Sequence, residues 1–429
     1  MKKKYRIILY TSIFLLCVVA SIILVVKKSN SVYEEESKPK VVKHKSMLSM
    51  NLEQTAGAGD YKTVTQSKWP TEGYKFNAEL SRCENGSTLS WDDTKKAVIV
   101  SGNLSDKCYV YFDIYQPTLA EYIKSQYTGT QGENNIYYHD SDLANGAGDN
   151  SYRYAGANPN NFVCFGSDTS PCPTDNLYRI IGVFGENYHG VTGKQLVKLI
   201  KYDYMTTDEL GTDGDYSQTY KEWGMDNTYK GTYGDGERIG VYYWNYKATG
   251  SATNTWSTSL LNKTNLNTNF INNIGTTWAN KIATVTWKVG GNTWANIGTK
   301  TSSVAYTNEI TNPVTTNTTD NATTYSAKIG LMYVSDYGFA ASPDAWTLTM
   351  SSYNNTTATN NNWMYMGLYE WTISRYAGNS DDAFGVGDDG YVGSDGVGGN
   401  RGVRASFNLE SSVSYVSGSG SMSDPIVIN

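Results

Sequence analysis

The chain has 429 residues and a net charge of −6, and it is 13% aromatic, with 35 Tyr and 11 Trp against 10 Phe. Tyr, Trp and Thr suit half-buried strands while Gly and Asn suit corners, so the composition argues against a helical bundle rich in Leu, Ala, Glu and Lys. Ten of the 35 bases but only three of the 41 acids fall in residues 1–48, leaving −13 on the remainder and disfavouring a nucleic-acid partner, whose phosphates need Lys and Arg.

Residues 1–6 form a basic tail (Lys2, Lys3, Lys4, Arg6), and Ile7 to Val26 are twenty residues without a charge. As a helix, that run covers about 30 Å, the thickness of a bilayer's hydrocarbon. Cleavage after Val18-Val19-Ala20 would leave an apolar stub, so an uncleaved signal-anchor over 7–26 is favoured over a cleaved signal peptide. The preceding bases keep the N-terminus inside, which predicts a single-pass plasma-membrane protein with its bulk extracellular. Residues 27–50, with Glu34–Glu36 and several Lys, read as a solvated stalk.

Residues 51–116 read as a small β module. Tyr74-Lys-Phe76, Leu89-Ser-Trp91, Ala97-Val-Ile-Val100 and Cys108-Tyr-Val-Tyr-Phe112 are β-prone, and Glu84-Asn-Gly86 and Ser101-Gly102-Asn103 are turn signals between them. Beyond Cys17 in the apolar run there are four cysteines, Cys83, Cys108, Cys164 and Cys172. An even number past an export segment favours disulfides, and sequence proximity pairs Cys83 with Cys108 and Cys164 with Cys172, one of three connectivities. The spacings lack a C-x-x-C pair and no His pair stands at ligand spacing, so a metal centre is not expected.

Residues 117–160 read as a connector, a short helix over Leu119–Tyr127 and then a polar loop. In 161–429, Leu177 to Phe184 and Gln195 to Ile200 suggest a hairpin, and Trp256, Leu260, Leu266, Phe270, Trp278 and Ile282 approximate helical spacing. Residues 299–325 and 351–362 are Thr/Asn-rich and read as loops.

Several of these segments carry a resemblance. Leu177-Tyr-Arg-Ile-Ile-Gly-Val-Phe184, Trp256-x-x-Ser259-Leu260 with Leu266-Asn-x-x-Phe270, Gly330-Leu-x-Tyr-Val-Ser335-Asp-Tyr, Trp371-x-x-Ser-Arg375 and Gly402-Val-Arg404 resemble an uncharacterised domain of surface proteins from Gram-positive gut bacteria. That domain is similar to the C-type-lectin-like fold shared with formylglycine-generating enzymes. The segment from Cys83-Glu-Asn-Gly86 to Cys108-Tyr-Val-Tyr-Phe112 resembles a module found with it, so the likeness spans roughly residues 70–425. It implies an α+β, β-rich architecture in which a transmembrane helix and a disulfide-stapled β module precede a C-type-lectin-like domain. Formylglycine-generating chemistry needs free thiols to hold copper, and no Cys follows Cys172.

For a site, the C-terminal segment offers most. Trp363, Tyr365, Trp371, Tyr376 and Tyr391 present rings on which sugars stack, near Asp388 and Asp389 in a Gly-rich loop. Those acids, with Asp381, Asp382 and Asp395, are hard oxygen ligands of the kind calcium takes, but the D-x-D-x-D-G pattern is missing and a solvated turn-rich loop is the competing reading, so no cofactor is expected. Gly385-Val-Gly-Asp-Asp-Gly390 matches G-x-G-x-x-G but reads as a turn. Arg375 and Arg404 either bridge carbonyls or an acid within a loop-rich core, or capture an anionic ligand. The leading expectation is a membrane-anchored recognition or adhesion protein binding a glycan or protein surface non-covalently, with no catalytic constellation in view. A structural envelope component and an exported carbohydrate-active enzyme are the alternatives.

Overall fold

The computed structural model describes residues 48–65, 68–71, 73–217, 222–224, 229–233, 238–247, 252–313, 322–354 and 356–429. The expected tail, the span over 7–26 and nearly all of the stalk lie outside the described residues; among those described, no helix is long and apolar enough to cross a membrane. Two units divide at Gln116 and Pro117. Together they make a β-rich α+β protein with two disulfides, Cys83–Cys108 and Cys164–Cys172.

In the first unit the strand Cys108–Ile114 buries Cys108, Val110 and Phe112 in alternation, as a strand with one inward face must. It lies inside a four-stranded sheet ordered Tyr61–Val64, Leu48–Glu53, Cys108–Ile114, Tyr74–Cys83. Leu48–Glu53 runs parallel to it, so residues 48–50 belong to the sheet and not to a stalk. Their register buries Met50 and Leu52 beside Val110 and Phe112. Trp69, Phe76 and Trp91 each bring a ring within 6 Å of Phe112, at 5.9, 5.9 and 5.7 Å. Cys83 and Cys108 are direct cross-strand partners with Cα atoms 4.0 Å apart, so their bridge staples the sheet at one end.

The second unit has a seven-stranded antiparallel sheet. Its order is Ile329–Gly330, Ser406–Asn408, Leu196–Lys201, Leu177–Phe184, Ser151–Tyr154, Ile136–His139, with Phe162–Cys164 also pairing with Leu177–Phe184. The expected hairpin is present, with a short helix Glu186–His189 in its connection. Residues 117–160 are not a connector: the helix Leu119–Ser125 packs its Leu119 and Ile123 into the core, and two strands of 117–160 join the sheet. Apolar residues inside a polar-looking stretch explain the difference, since Ile136 and Tyr154 are both buried.

A second sheet, Gly291–Asn292, Glu370–Tyr376, Asp382–Val386, Val392–Gly396, contains the G-x-G-x-x-G match as its last hairpin turn. The helical spacing after Trp256 becomes Leu261–Phe270, a helix with wide turns, continued by Ile271–Ala279 past a break at Gly275 (φ 75°). Within the expected loop 299–325 lie two helical turns, Ser302–Tyr306 and Thr307–Thr311, because Ala305, Tyr306 and Ile310 find core to fill.

Charge also enters this core. Lys198 Nζ lies 2.7 Å from Asp336 Oδ2 and 2.6 Å from the Tyr188 hydroxyl, and Lys198 and Asp336 are fully buried. Asp336 accepts the Tyr333 N–H at 3.0 Å and caps the helix Val334–Ala340, so the network ties that helix to the sheet. Arg153 completes it through Asp149 at 2.8 Å and the Asp336 carboxylate at 3.8 Å.

Candidate functional site

A cleft of about 460 Å³ opens in the second unit where residues 157–162 pass the strand Leu177–Phe184 and the segment 359–366. Its floor is Phe162, Arg179, Tyr202, Trp363 and Tyr365, all nearly buried; Asn158, Asn160, Asn360 and Lys230 stand exposed at its rim. The size is that of a small-molecule site.

Arg179 organises the floor. It is the lone charge in a strand whose eight residues are all buried. Its guanidinium lies between the rings of Phe162 and Trp363, 4.3 and 4.7 Å from their centroids. Nε donates to Asn161 Oδ1 at 2.7 Å and Nη2 to the Pro159 carbonyl at 3.0 Å, with a longer contact from Nη1 to the Trp363 carbonyl at 3.5 Å. Among the described residues no carboxylate stands within ion-pair distance of it. Burial pushes Arg179 down to about 9, and the Arg404 charge adds to the fall; it stays protonated at neutral pH.

The neighbours are fixed in turn. The Trp363 indole N–H donates to the Tyr154 carbonyl at 2.9 Å, and Asn161 Nδ2 donates to the Ile180 carbonyl at 2.8 Å. The Tyr365 hydroxyl donates to the Asp388 carbonyl, and Lys230 Nζ stands 4.8 Å from the Tyr365 ring centre. Burial, and then the charge of Asp203, raise the Tyr202 hydroxyl; burial, followed by Asp389 and Asp388, raises that of Tyr365. Both therefore serve as neutral donors. Rings below and amides above suit a polyhydroxylated ligand with one apolar face.

The residues singled out in the sequence do not converge. Trp363 and Tyr365 line the cleft, and the Asp388 carbonyl accepts the Tyr365 hydroxyl. Arg404 lies behind the floor, where Nε and Nη2 each meet a Glu370 carboxylate oxygen at 2.8 Å and Nη2 also reaches the Met364 carbonyl at 2.7 Å. That is the structural arrangement of the two considered for it. Trp371 is fully buried with its indole on the Tyr242 carbonyl at 2.9 Å, so it offers no face to a ligand. Arg375 is buried, with Nε 3.4 Å from the Val289 carbonyl, and Tyr376 sets its ring edge-on to Phe384 at 5.5 Å. Asp388 and Asp389 are exposed in the hairpin turn, where Asp389 accepts the Tyr391 N–H at 3.3 Å.

Among the described residues, the one gathering of three metal-ligating side chains is Cys83, Asp106 and Cys108, and its two sulfurs are already joined to each other. Asp388 and Asp389 do not meet a third acid there. His139 and His189 are buried, each accepting a backbone N–H at Nδ1, from Ala147 at 3.0 Å and from Val191 at 3.1 Å. Burial lowers both. No carboxylate lines the cleft among the described residues, so the paired acids of glycoside hydrolysis do not meet in it.

Sequence reasoning missed Phe162, Arg179, Tyr202, Lys230 and the Asn rim. One signal was available: a single Arg inside an unbroken apolar strand has to find a compensating environment. No family model, curated protein or solved structure matches the chain.

Proposed function

We propose that the protein is a membrane-anchored extracellular recognition protein whose second unit, a C-type-lectin-like domain, binds a glycan non-covalently in the cleft floored by Phe162, Arg179 and Trp363. The observation that carries this reading is the cleft itself: aromatic and guanidinium planes beneath, side-chain amides around, and room for a small ligand. Support for an outside location comes from the apolar run 7–26 and from two disulfides, which persist in oxidising compartments.

The full chain in detergent, applied to a glycan array, should retain a defined set of glycans. Uniformly blank arrays would remove the reading. Location is tested separately by thiol labelling of intact cells under non-reducing conditions. If Cys83, Cys108, Cys164 and Cys172 were recovered as free thiols protected by the membrane, the extracellular placement would fall.

A further inference from the structure

We propose that the glycan taken by this cleft carries a carboxylate or phosphate group, seated against Arg179 and Lys230; the inference rests on the cleft being a glycan site. Four other buried cations in this unit meet an acid, and a fifth, Arg375, donates to the Val289 carbonyl. Arg153 meets Asp149, Lys198 meets Asp336, Lys201 meets Glu209 at 2.7 Å, and Arg404 meets Glu370 on both oxygens. Each acid repays desolvation of the cation beside it. Arg179 is equally buried, and among the described residues its partners are one amide oxygen and two carbonyls.

Those three bonds use three of the five guanidinium N–H groups, leaving two donors for a ligand on a side chain that lines open space. A guanidinium held by two rings and three hydrogen bonds is preorganised for a planar or tetrahedral oxyanion, and such charge-assisted bonds are the strong ones. Lys230, exposed at the rim, supplies a second cation, and among the described residues no acid lines the cleft.

Among the described residues no nearby acid forms an ion pair with Arg179 or Lys230. Asp203 is committed to Thr232, accepting its N–H at 3.1 Å and its hydroxyl at 2.6 Å, and to the Tyr229 hydroxyl. Asp388 and Asp389 are exposed beyond Tyr365, whose hydroxyl feels their charge, and neither reaches Arg179. Outside residues 1–48 the chain carries −13, so anion selection comes from the local site and not from long-range attraction.

The test is an array of matched oligosaccharides, each printed as a neutral form, a uronate-bearing form and a phosphate-bearing form, probed with the full chain in detergent. Uronate or phosphate forms should bind at least tenfold more tightly than their neutral matches, and comparing the two anionic arms separates the sources of charge. Lys230→Gln, at an exposed position, should lower the ratio of anionic to neutral binding threefold or more. Arg179→Gln should abolish the preference, with circular dichroism reporting whether the fold survives; Lys230→Gln keeps the proposal testable if it does not. Equal binding of neutral and anionic forms would overturn the anionic inference and leave the glycan reading standing. Blank signals for every form would overturn both.

Discussion

Replacing Arg404 with Met tests how far this loop-rich core depends on matched charge. The Arg404 and Glu370 side chains are 1% and 3% exposed and share two bonds of 2.8 Å. Truncating one partner strands the other in a medium that solvates it poorly, a loss of about 3–5 kcal/mol for buried pairs. The bond to the Met364 carbonyl adds about 1 kcal/mol. A deficit of roughly 4–6 kcal/mol is therefore expected at pH 8. Glu370→Gln in the same background should recover about 2 kcal/mol, because an amide costs less to bury than a carboxylate.

The pH dependence follows from Glu370. Burial already lifts its carboxyl above the ordinary 4.5, with Arg404 opposing, and removing Arg404 removes that opposition. A carboxyl raised in the folded state binds more protons folded than unfolded, so its stabilising contribution is complete below the unfolded value and drains as pH rises through the folded one. The deficit of Arg404→Met should accordingly be smaller at pH 5 than at pH 8. Urea unfolding followed by Trp fluorescence reads it, since nine of the eleven Trp lie beyond residue 116 and report the second unit. A loss below about 1 kcal/mol at pH 8, or one that is the same at both pH values, would refute the ion-pair reasoning.

Three further outcomes are expected. Replacing Cys83 and Cys108 together by Ser should destabilise the first unit by about 3.5 kcal/mol, and replacing Cys164 and Cys172 should cost the second about 2.5 kcal/mol, as urea midpoints would show. Gly182 sits at the register shift between the hairpin strands, and a methyl there meets the Tyr152 carbonyl. Gly182→Ala should cost about 1–3 kcal/mol by calorimetry. Lys198→Met, which leaves buried Asp336 with only Arg153 at 3.8 Å beside it, should cost about 3 kcal/mol, measured by urea unfolding at pH 7.

The elements legible in the sequence are those whose signal is local. Leu177–Phe184 and Leu196–Lys201 announce themselves as unbroken apolar runs, and both are buried along their whole length. The cysteine pairs close short loops, and the first bridges residues already opposed in a sheet. What stayed hidden depends on distant pairing. Ile136–His139 and Ser151–Tyr154 look like fragments of a polar loop until Leu177–Phe184 supplies the neighbouring edge. The parallel register of Leu48–Glu53 with Cys108–Ile114 likewise joins segments far apart in the chain. The cleft is the extreme case, because Phe162, Arg179 and Trp363 become neighbours only after the sheet has formed.

Clustering of rings and acids along the C-terminal segment pointed to the wrong scale of organisation for most of that group. Trp371 is spent on core packing, and Arg404 is neutralised by an acid 34 residues upstream in sequence. Arg179 occupies the same floor region and differs in one respect: its rings and carbonyls satisfy its shape and part of its hydrogen bonding, but none of them carries a negative charge. Stability alone would have been served by an acid beside it or by an apolar residue in its place, since a buried charge is worth little to a fold unless it is matched. A cation with no acid partner among the described residues, on the wall of an open cleft, is a cost to the folded state of the kind an anionic ligand relieves, and this asymmetry between two neighbouring guanidinium groups directs attention to Arg179 more strongly than any count of exposed aromatic rings.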